Sequence, residues 1–121
     1  MEKQVPEIFD SEYQLLSLIW NESPVRMRDL VREANEVYGW QRTTVYTMVK
    51  RLSERGVLDF NDSMVAPLFT REQVQLAKAK DFVDFIFGGS LADVVEVYAA
   101  KKKMKKDDAA RIREIMKNYS K

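Results

Sequence analysis

The hydrophobic period of this chain changes at Gly56, and that change limits the folds open to it. Before Gly56, apolar residues recur at three- and four-residue steps in three blocks, which is the mark of amphipathic helices. After it come two short apolar runs, "VLDF" and "VAPLFT", separated by "NDSM". Short apolar runs bounded by turn residues read as strands.

The first block begins near Glu12, with Asp10 or Ser11 as the expected cap, and has a broad apolar face of Tyr13, Leu15, Leu16, Leu18, Ile19 and Trp20. It ends around "NESP", where Pro24 breaks the pattern. A second helix is expected over Met27 to Val37, with Leu30, Val31 and Ala34 inward and Arg28 and Arg32 outward, and Gly39 as its stop. The third runs from near Gln41 or Arg42 to Gly56, with Val45, Met48, Val49 and Leu52 as its apolar stripe. In the hairpin that follows, Pro67 cannot donate to a ladder, so its strand should be an edge with the nitrogen outward, or a bulge. Three helices and a hairpin in residues 10 to 70 are the order of a winged helix.

Beyond Thr70 the pattern returns to helix. "REQVQLAKAKDFVDFIF" sets Val74, Ala77, Phe82, Phe85 and Ile86 roughly along one side before "GGS" ends it. Ser90 with Asp93 resembles a capping box that opens "LADVVEVYAA", with Leu91, Val94, Val95 and Tyr98 among its apolar residues. "KKKMKK" then reads as a solvated link, and Asp107 or Asp108 opens a last helix with Ile112, Ile115, Met116 and Tyr119 on one face. These helices are too rich in large apolar side chains for a 50-residue arm to cover alone, so burial against a second copy of the chain is expected. The aromatic group Phe82, Phe85, Phe87 and Tyr98 is read as part of that contact rather than as a ligand pocket. The fold class is mainly α with a small β-hairpin, residues 1–70 forming a winged helix-turn-helix domain and 71–121 a helical dimerisation segment.

Composition removes most enzymatic readings. With no cysteine and no histidine, the chain has no thiolate or imidazole ligand, no disulfide and not the commonest general base. Its acids are scattered, and nothing resembles a phosphate loop. No catalytic residue, metal or cofactor is therefore expected. The first residues carry no apolar run, and nowhere is there a run long enough to span a bilayer, so a cytoplasmic chain without stable membrane insertion is expected. Net charge is only +1, yet from Arg26 to Arg55 seven basic residues face four acids.

The third helix shows where that charge could act. Opposite its apolar stripe lie Thr43, Thr47 and Lys50, flanked by Arg42, Tyr46 and Arg51. Threonine and tyrosine are mediocre helix formers and poor choices for a merely solvated face. They suit a helix that enters a DNA major groove, where threonine meets a thymine methyl or a base-edge acceptor and Tyr, Lys and Arg reach phosphate or guanine. Arg42 and the N-terminal amides are placed for a phosphate. A winged-helix frame also serves purely as a protein-interaction module, and this remains the alternative.

The stretches "SEYQLLSLIWNESPVRMRDLV", "GWQRTTVYTMVKRLSERGVL" and "FIFGGSLADVVEVYAAKKKMKKDDAARIREIMK" resemble the penicillinase-repressor family, which includes methicillin-resistance and copper-responsive repressors. The similarity runs over nearly the whole chain, and the pattern W-x-x-T-T-V-Y-T-x-x-x-R-L-x-x-x-G is its most specific part. The resemblance implies a homodimeric winged-helix repressor on a palindromic operator, joined through its C-terminal helices. It places the recognition helix on Arg42 to Leu52, with Thr43, Tyr46, Thr47 and Arg51 facing the operator, Thr44 and Val45 nearer the core, and Trp40 as an aromatic anchor.

Three departures from the family pattern bear on mechanism. The hairpin tip is "NDSM", with Asp62 where relatives carry Gly and Arg, which argues against a wing grip on phosphate. Antibiotic-responsive members are released by a membrane sensor–protease system that triggers cleavage at an Asn-Phe bond. The pair here is Val97-Tyr98, so that partner is implied by the resemblance but its cleavage site is not. Sensing of copper through a C-terminal cysteine cluster is excluded by the lack of cysteine.

Overall fold

The computed structural model describes residues 4–120, which form two compact units that divide between Lys78 and Ala79. Its elements in chain order are α1 (Asp10–Glu22), β1 (Val25–Arg26), α2 (Met27–Tyr38), α3 (Arg42–Glu54), β2 (Leu58–Asn61), β3 (Met64–Pro67), α4 (Arg71–Phe87), α5 (Leu91–Lys101) and α6 (Lys106–Tyr119). The mainly α, winged helix-turn-helix class expected from the period change is what the chain adopts.

In the first unit, one core collects the inward faces of α1, α2, α3 and the hairpin. Leu15, Leu16, Ile19, Leu30, Val45, Val49, Leu52 and Val65 are fully enclosed, and Trp20, Tyr38 and Trp40 pack at its margin. Every residue of the expected α3 stripe is buried. Val74, in the first turns of α4, is enclosed in the same core. Thr70 and Gln73 form a reciprocal capping box there: the Gln73 N–H donates to Thr70 Oγ1 at 3.1 Å, and the Thr70 N–H to Gln73 Oε1 at 2.8 Å.

The sheet has three strands in the order β1-β3-β2, all antiparallel. β1 was not expected, since two residues carry no readable period. It turns β3 from an edge into the central strand, and this corrects the reading of Pro67. Leu68 N donates to Val57 O at 2.9 Å, and the alternation of the antiparallel ladder then places Pro67, opposite Leu58, at a position that donates nothing to β2. On its other side β1 pairs only Val65 and Met64 and has ended before Pro67 is reached. The proline is tolerated because neither neighbour needs its nitrogen.

The start of α1 differs from expectation in a way that matters for α3. Its cap position is Phe9, not Asp10 or Ser11, and a phenyl ring cannot accept a hydrogen bond. The Glu12 carboxylate does so instead, with Oε1 taking the Phe9 N–H at 2.9 Å. Glu12 is only 4% exposed, and its second oxygen accepts from Nη2 of Arg55, at the C-cap of α3. Arg55 also donates from Nη1 to Glu7 O at 2.6 Å and lies over the Phe9 ring, 5.5 Å from its centroid. The ion pair thus ties the entry of α1 to the exit of α3.

The hairpin turn is built from Asp62 and Ser63, both left-handed at φ +51° and +64°. Two consecutive positive φ values are what a two-residue hairpin of matching twist requires, and glycine meets that requirement without a Cβ clash.

In the second unit, helix starts match the sequence in part. Ser90 Oγ accepts the Asp93 N–H at 3.1 Å, as the capping pattern implied. The break between α5 and α6 falls at Lys102 to Lys105, inside the lysine run, while Asp107 and Asp108 sit in the first turn of α6 rather than at its cap, Lys105.

Two stability outcomes follow. Arg55→Ala strands a buried carboxylate and is expected to cost about 3 kcal/mol in urea unfolding, the low end for such a loss because the arginine keeps 27% side-chain exposure; replacing Glu12 and Arg55 together by leucine should recover part of it, the rest being the lost Glu12 bond to the Phe9 N–H. Ser63→Gly should stabilise the fold by about 1 kcal/mol, read as a raised urea midpoint at unchanged slope.

Candidate nucleic-acid interface

The turn that sets α3 against α2 is closed by backbone chemistry. Gly39 ends α2 at φ +72°, a conformation costly for other residues, and its N–H reaches Asn35 O at 2.9 Å. Asn35 Nδ2 then donates to Trp40 O at 3.1 Å, and the Trp40 ring stacks on Tyr38 with centroids 4.6 Å apart. Trp40 is an anchor for the turn, as expected, with part of its surface in the core margin.

With four of its side chains in the core, α3 presents the opposite surface to solvent. Arg42, Thr43, Tyr46, Thr47, Lys50 and Arg51 are all exposed. Thr44, expected nearer the core, is exposed as well. It precedes the stripe at Val45 by one residue, a rotation of roughly 100° on a helix of 3.6 residues per turn, which carries it out of the core.

The exposed residues form two rows at four-residue spacing, one of Thr43, Thr47 and Arg51 and the other of Tyr46, Lys50 and Glu54. Each row borders a shallow cleft of about 400 Å³. Thr43, Thr44, Thr47 and Arg51 line one together with Trp40, Met48 and Ser11 of α1. Tyr46, Thr47, Lys50, Ser53 and Glu54 line the other together with Phe60 of β2. Thr47 belongs to both, so it lies along the crest of the helix.

Charge is arranged on the same surface. The Arg42 guanidinium lies over the Tyr46 ring, 5.2 Å from its centroid, which holds both side chains at the start of the helix. Gln41 caps α3 without a side-chain hydrogen bond, so its side chain leaves the first-turn N–H groups and their partial positive charge open at the start of the helix. No carboxylate among the described residues pairs with Arg42, Lys50 or Arg51. Arg55, counted in the basic run, is withdrawn from this surface by Glu12. On α2 the Glu33 carboxyl is raised above its usual range, first by burial and then by Glu22 and Glu36.

Sequence reasoning overlooked Phe60 and Ser11 as walls of these clefts. Phe60 carried a readable signal, a large aromatic in a strand beside an acidic turn, but its closeness to α3 is a tertiary fact. Among the described residues no group of three or more His, Cys, Asp or Glu is placed to hold a metal, and no helix is long and apolar enough to cross a membrane.

The residues expected at a dimer contact all lie in the second unit. Phe82, Phe85, Ile86, Leu91, Val95, Tyr98, Ile115 and Met116 are exposed, while Val94 and Ile112 are half-buried. Between α5 and α6 runs a mainly apolar groove of about 730 Å³, lined by Leu91, Val95, Ile112, Ile115, Met116 and Tyr119 among others.

The penicillinase repressor of Bacillus licheniformis is 24% identical over 97 residues, covering 77% of this chain and 76% of that protein. The penicillinase repressor of Staphylococcus aureus is 22% identical over 123 aligned positions, covering 98% and 97%. Among solved structures, the DNA-binding domain of the repressor BlaI superimposes with a TM-score of 0.53 at 25% identity, covering 60% of this chain and 93% of that one. The monomeric form of Bacillus licheniformis BlaI in complex with the blaP half-operator superimposes with a TM-score of 0.51 at 25% identity and the same coverage. The penicillinase repressor family model matches residues 8–118, and the chain belongs to that family of DNA-binding transcriptional repressors, which are not enzymes.

Proposed function

We propose that this protein represses transcription as a homodimer bound to a palindromic operator, with α3 of each copy in the major groove. The observation that carries the reading is the split of α3 into a buried apolar stripe and an exposed face of Arg42, Thr43, Tyr46, Thr47, Lys50 and Arg51, whose basic groups are ion-paired with no carboxylate among the described residues. A relative of the same fold bound to a half-operator supports it.

On this reading Thr43 and Thr47 touch base edges, with methyl groups against thymine and hydroxyls on acceptors, because both lie in the half of α3 that enters the groove first. Arg42, Lys50 and the free first-turn amides take phosphates, and Tyr46 and Arg51 flank them. Two copies of α3 would occupy successive grooves about 34 Å apart and exclude polymerase.

The second unit supplies the dimer. It has no fully buried side chain among its described residues, and Leu91, Val95, Ile112, Ile115 and Met116 line the groove between α5 and α6. Surface of that kind and extent is what an obligate partner covers.

Fluorescence anisotropy against DNA from immediately upstream of the gene, and against a scrambled duplex, tests the DNA reading. The upstream duplex should win by about 4 kcal/mol or more. Thr47→Ala should weaken the specific duplex by about 1–3 kcal/mol and relax its preference, whereas Lys50→Ala should weaken both duplexes alike and reduce the salt slope by about 1. Equal losses on both duplexes for Thr47→Ala would refute base reading, and a flat salt dependence of the wild type would favour a protein-interaction module instead. For the dimer, Ile115→Glu should give a monomer in light scattering that binds a single half-site within about twofold of wild type but loses the avidity of the full site.

A further inference from the structure

We propose that Phe60 makes a sugar contact: the cleft between α3 and β2 seats a deoxyribose of the DNA backbone against the Phe60 and Tyr46 rings. The wing thereby holds duplex DNA by a neutral, sequence-independent contact. The proposal rests on the reading of α3 as the helix in the major groove.

Strand alternation puts Leu58 and Phe60 on one face of β2, with Phe60 opposite the enclosed Val65. Leu58 is 2% exposed and Phe60 41%. Phe60 therefore points to the core side of the sheet at a place where the core has already ended, and what it meets there is α3. Tyr46, Thr47, Lys50, Ser53 and Glu54 form the opposite wall of a mainly apolar cleft. A large aromatic left half uncovered beside a polar helix is surface that gains from a partner.

The dimensions of DNA identify the occupant. A helix with its side chains is about 10–12 Å across and the major groove about 12 Å wide, so α3 fills the groove and whatever stands at its flank meets the groove wall. That wall is the sugar-phosphate backbone, in which charged phosphates alternate with neutral deoxyriboses. The wing cannot take the phosphate: from Leu58 to Pro67 it has Asp59 and Asp62 and no Lys or Arg, and Glu54 closes one end of the cleft. It can take the sugar, whose C–H faces pack on aromatic rings, while Lys50 on the cleft wall reaches the adjoining phosphate.

Anisotropy titrations at several salt concentrations separate this from other contacts, using the full-length protein, the upstream duplex, a scrambled duplex, and the upstream duplex with deoxyuridine in place of thymidine. Phe60→Ala should weaken all three by about fivefold, with a salt slope equal to that of the wild type, because no counterion is released at a neutral contact. Phe60→Leu, which keeps apolar bulk and guards against misfolding, should give a smaller loss in the same pattern, with the active fraction fixed by stoichiometric titration. Unchanged affinity overturns the proposal. So does a loss confined to thymine-containing DNA, which would make the occupant a base methyl, or a loss with a flattened slope, which would make the contact electrostatic. Should the wild type show no preference for the upstream duplex, the reading of α3 itself fails; a clear wild-type preference together with wild-type affinity in Phe60→Ala overturns the sugar contact alone.

Discussion

The rotation of α3 about its own axis is the constraint on which the rest of this structure depends. Val45, Met48, Val49 and Leu52 are held in the core, and a turn of one residue, about 100°, would carry Thr47 toward the core and one of these side chains into water. Burying four such side chains is worth several kcal/mol against their exposure. The helix therefore has one stable facing. Its far end is fastened separately, by Arg55 on the buried Glu12 carboxylate, and its near end by the Gly39 turn and the Tyr38–Trp40 stack. A side chain on a helix clamped at both ends and along one face is held in one position, which is what the proposed base reading requires.

The two units differ in how they satisfy the hydrophobic effect. The first encloses its own core, down to Val74 in the early turns of α4. The second has apolar side chains in comparable density but no enclosed centre among the described residues. In a helix pair, each member buries one stripe at most against the other, and residues such as Phe85, at 88% exposure, have nothing left within the unit to pack on. In the proposed dimer, association would supply the missing surface, and coupling it to DNA binding would double the number of base contacts without enlarging α3.

Much of the fold was legible because periodicity is a local property. The α3 stripe, the Gly39 stop, the change to strand after Gly56 and the Ser90 cap all follow from side-chain spacing and the conformational limits of single residues. The exposed face of α3 was legible for the same reason, being the complement of the stripe. What escaped was set by pairs distant in sequence. β1 is too short to carry a period and exists because Val25 and Arg26 meet β3. Glu12 and Arg55, 43 positions apart, read as surface charges until each is seen as the other's partner. Thr44 was misplaced because a threonine beside a buried valine gives no local sign of which side it takes.

By itself, the sequence determined the order of elements, which face of each helix is apolar, the absence of thiol and imidazole chemistry, and the family pattern around "TTVYT". Only the tertiary structure decided that β3 is a central strand, that Arg55 turns inward while Lys50 stays exposed, and that Phe60 faces α3 across a cleft. The physical reason is one of range. Helix period, turn chemistry and side-chain type act between residues a few positions apart, whereas strand order, ion pairing and cleft walls depend on which distant segments the collapse of a shared core brings within a few ångströms.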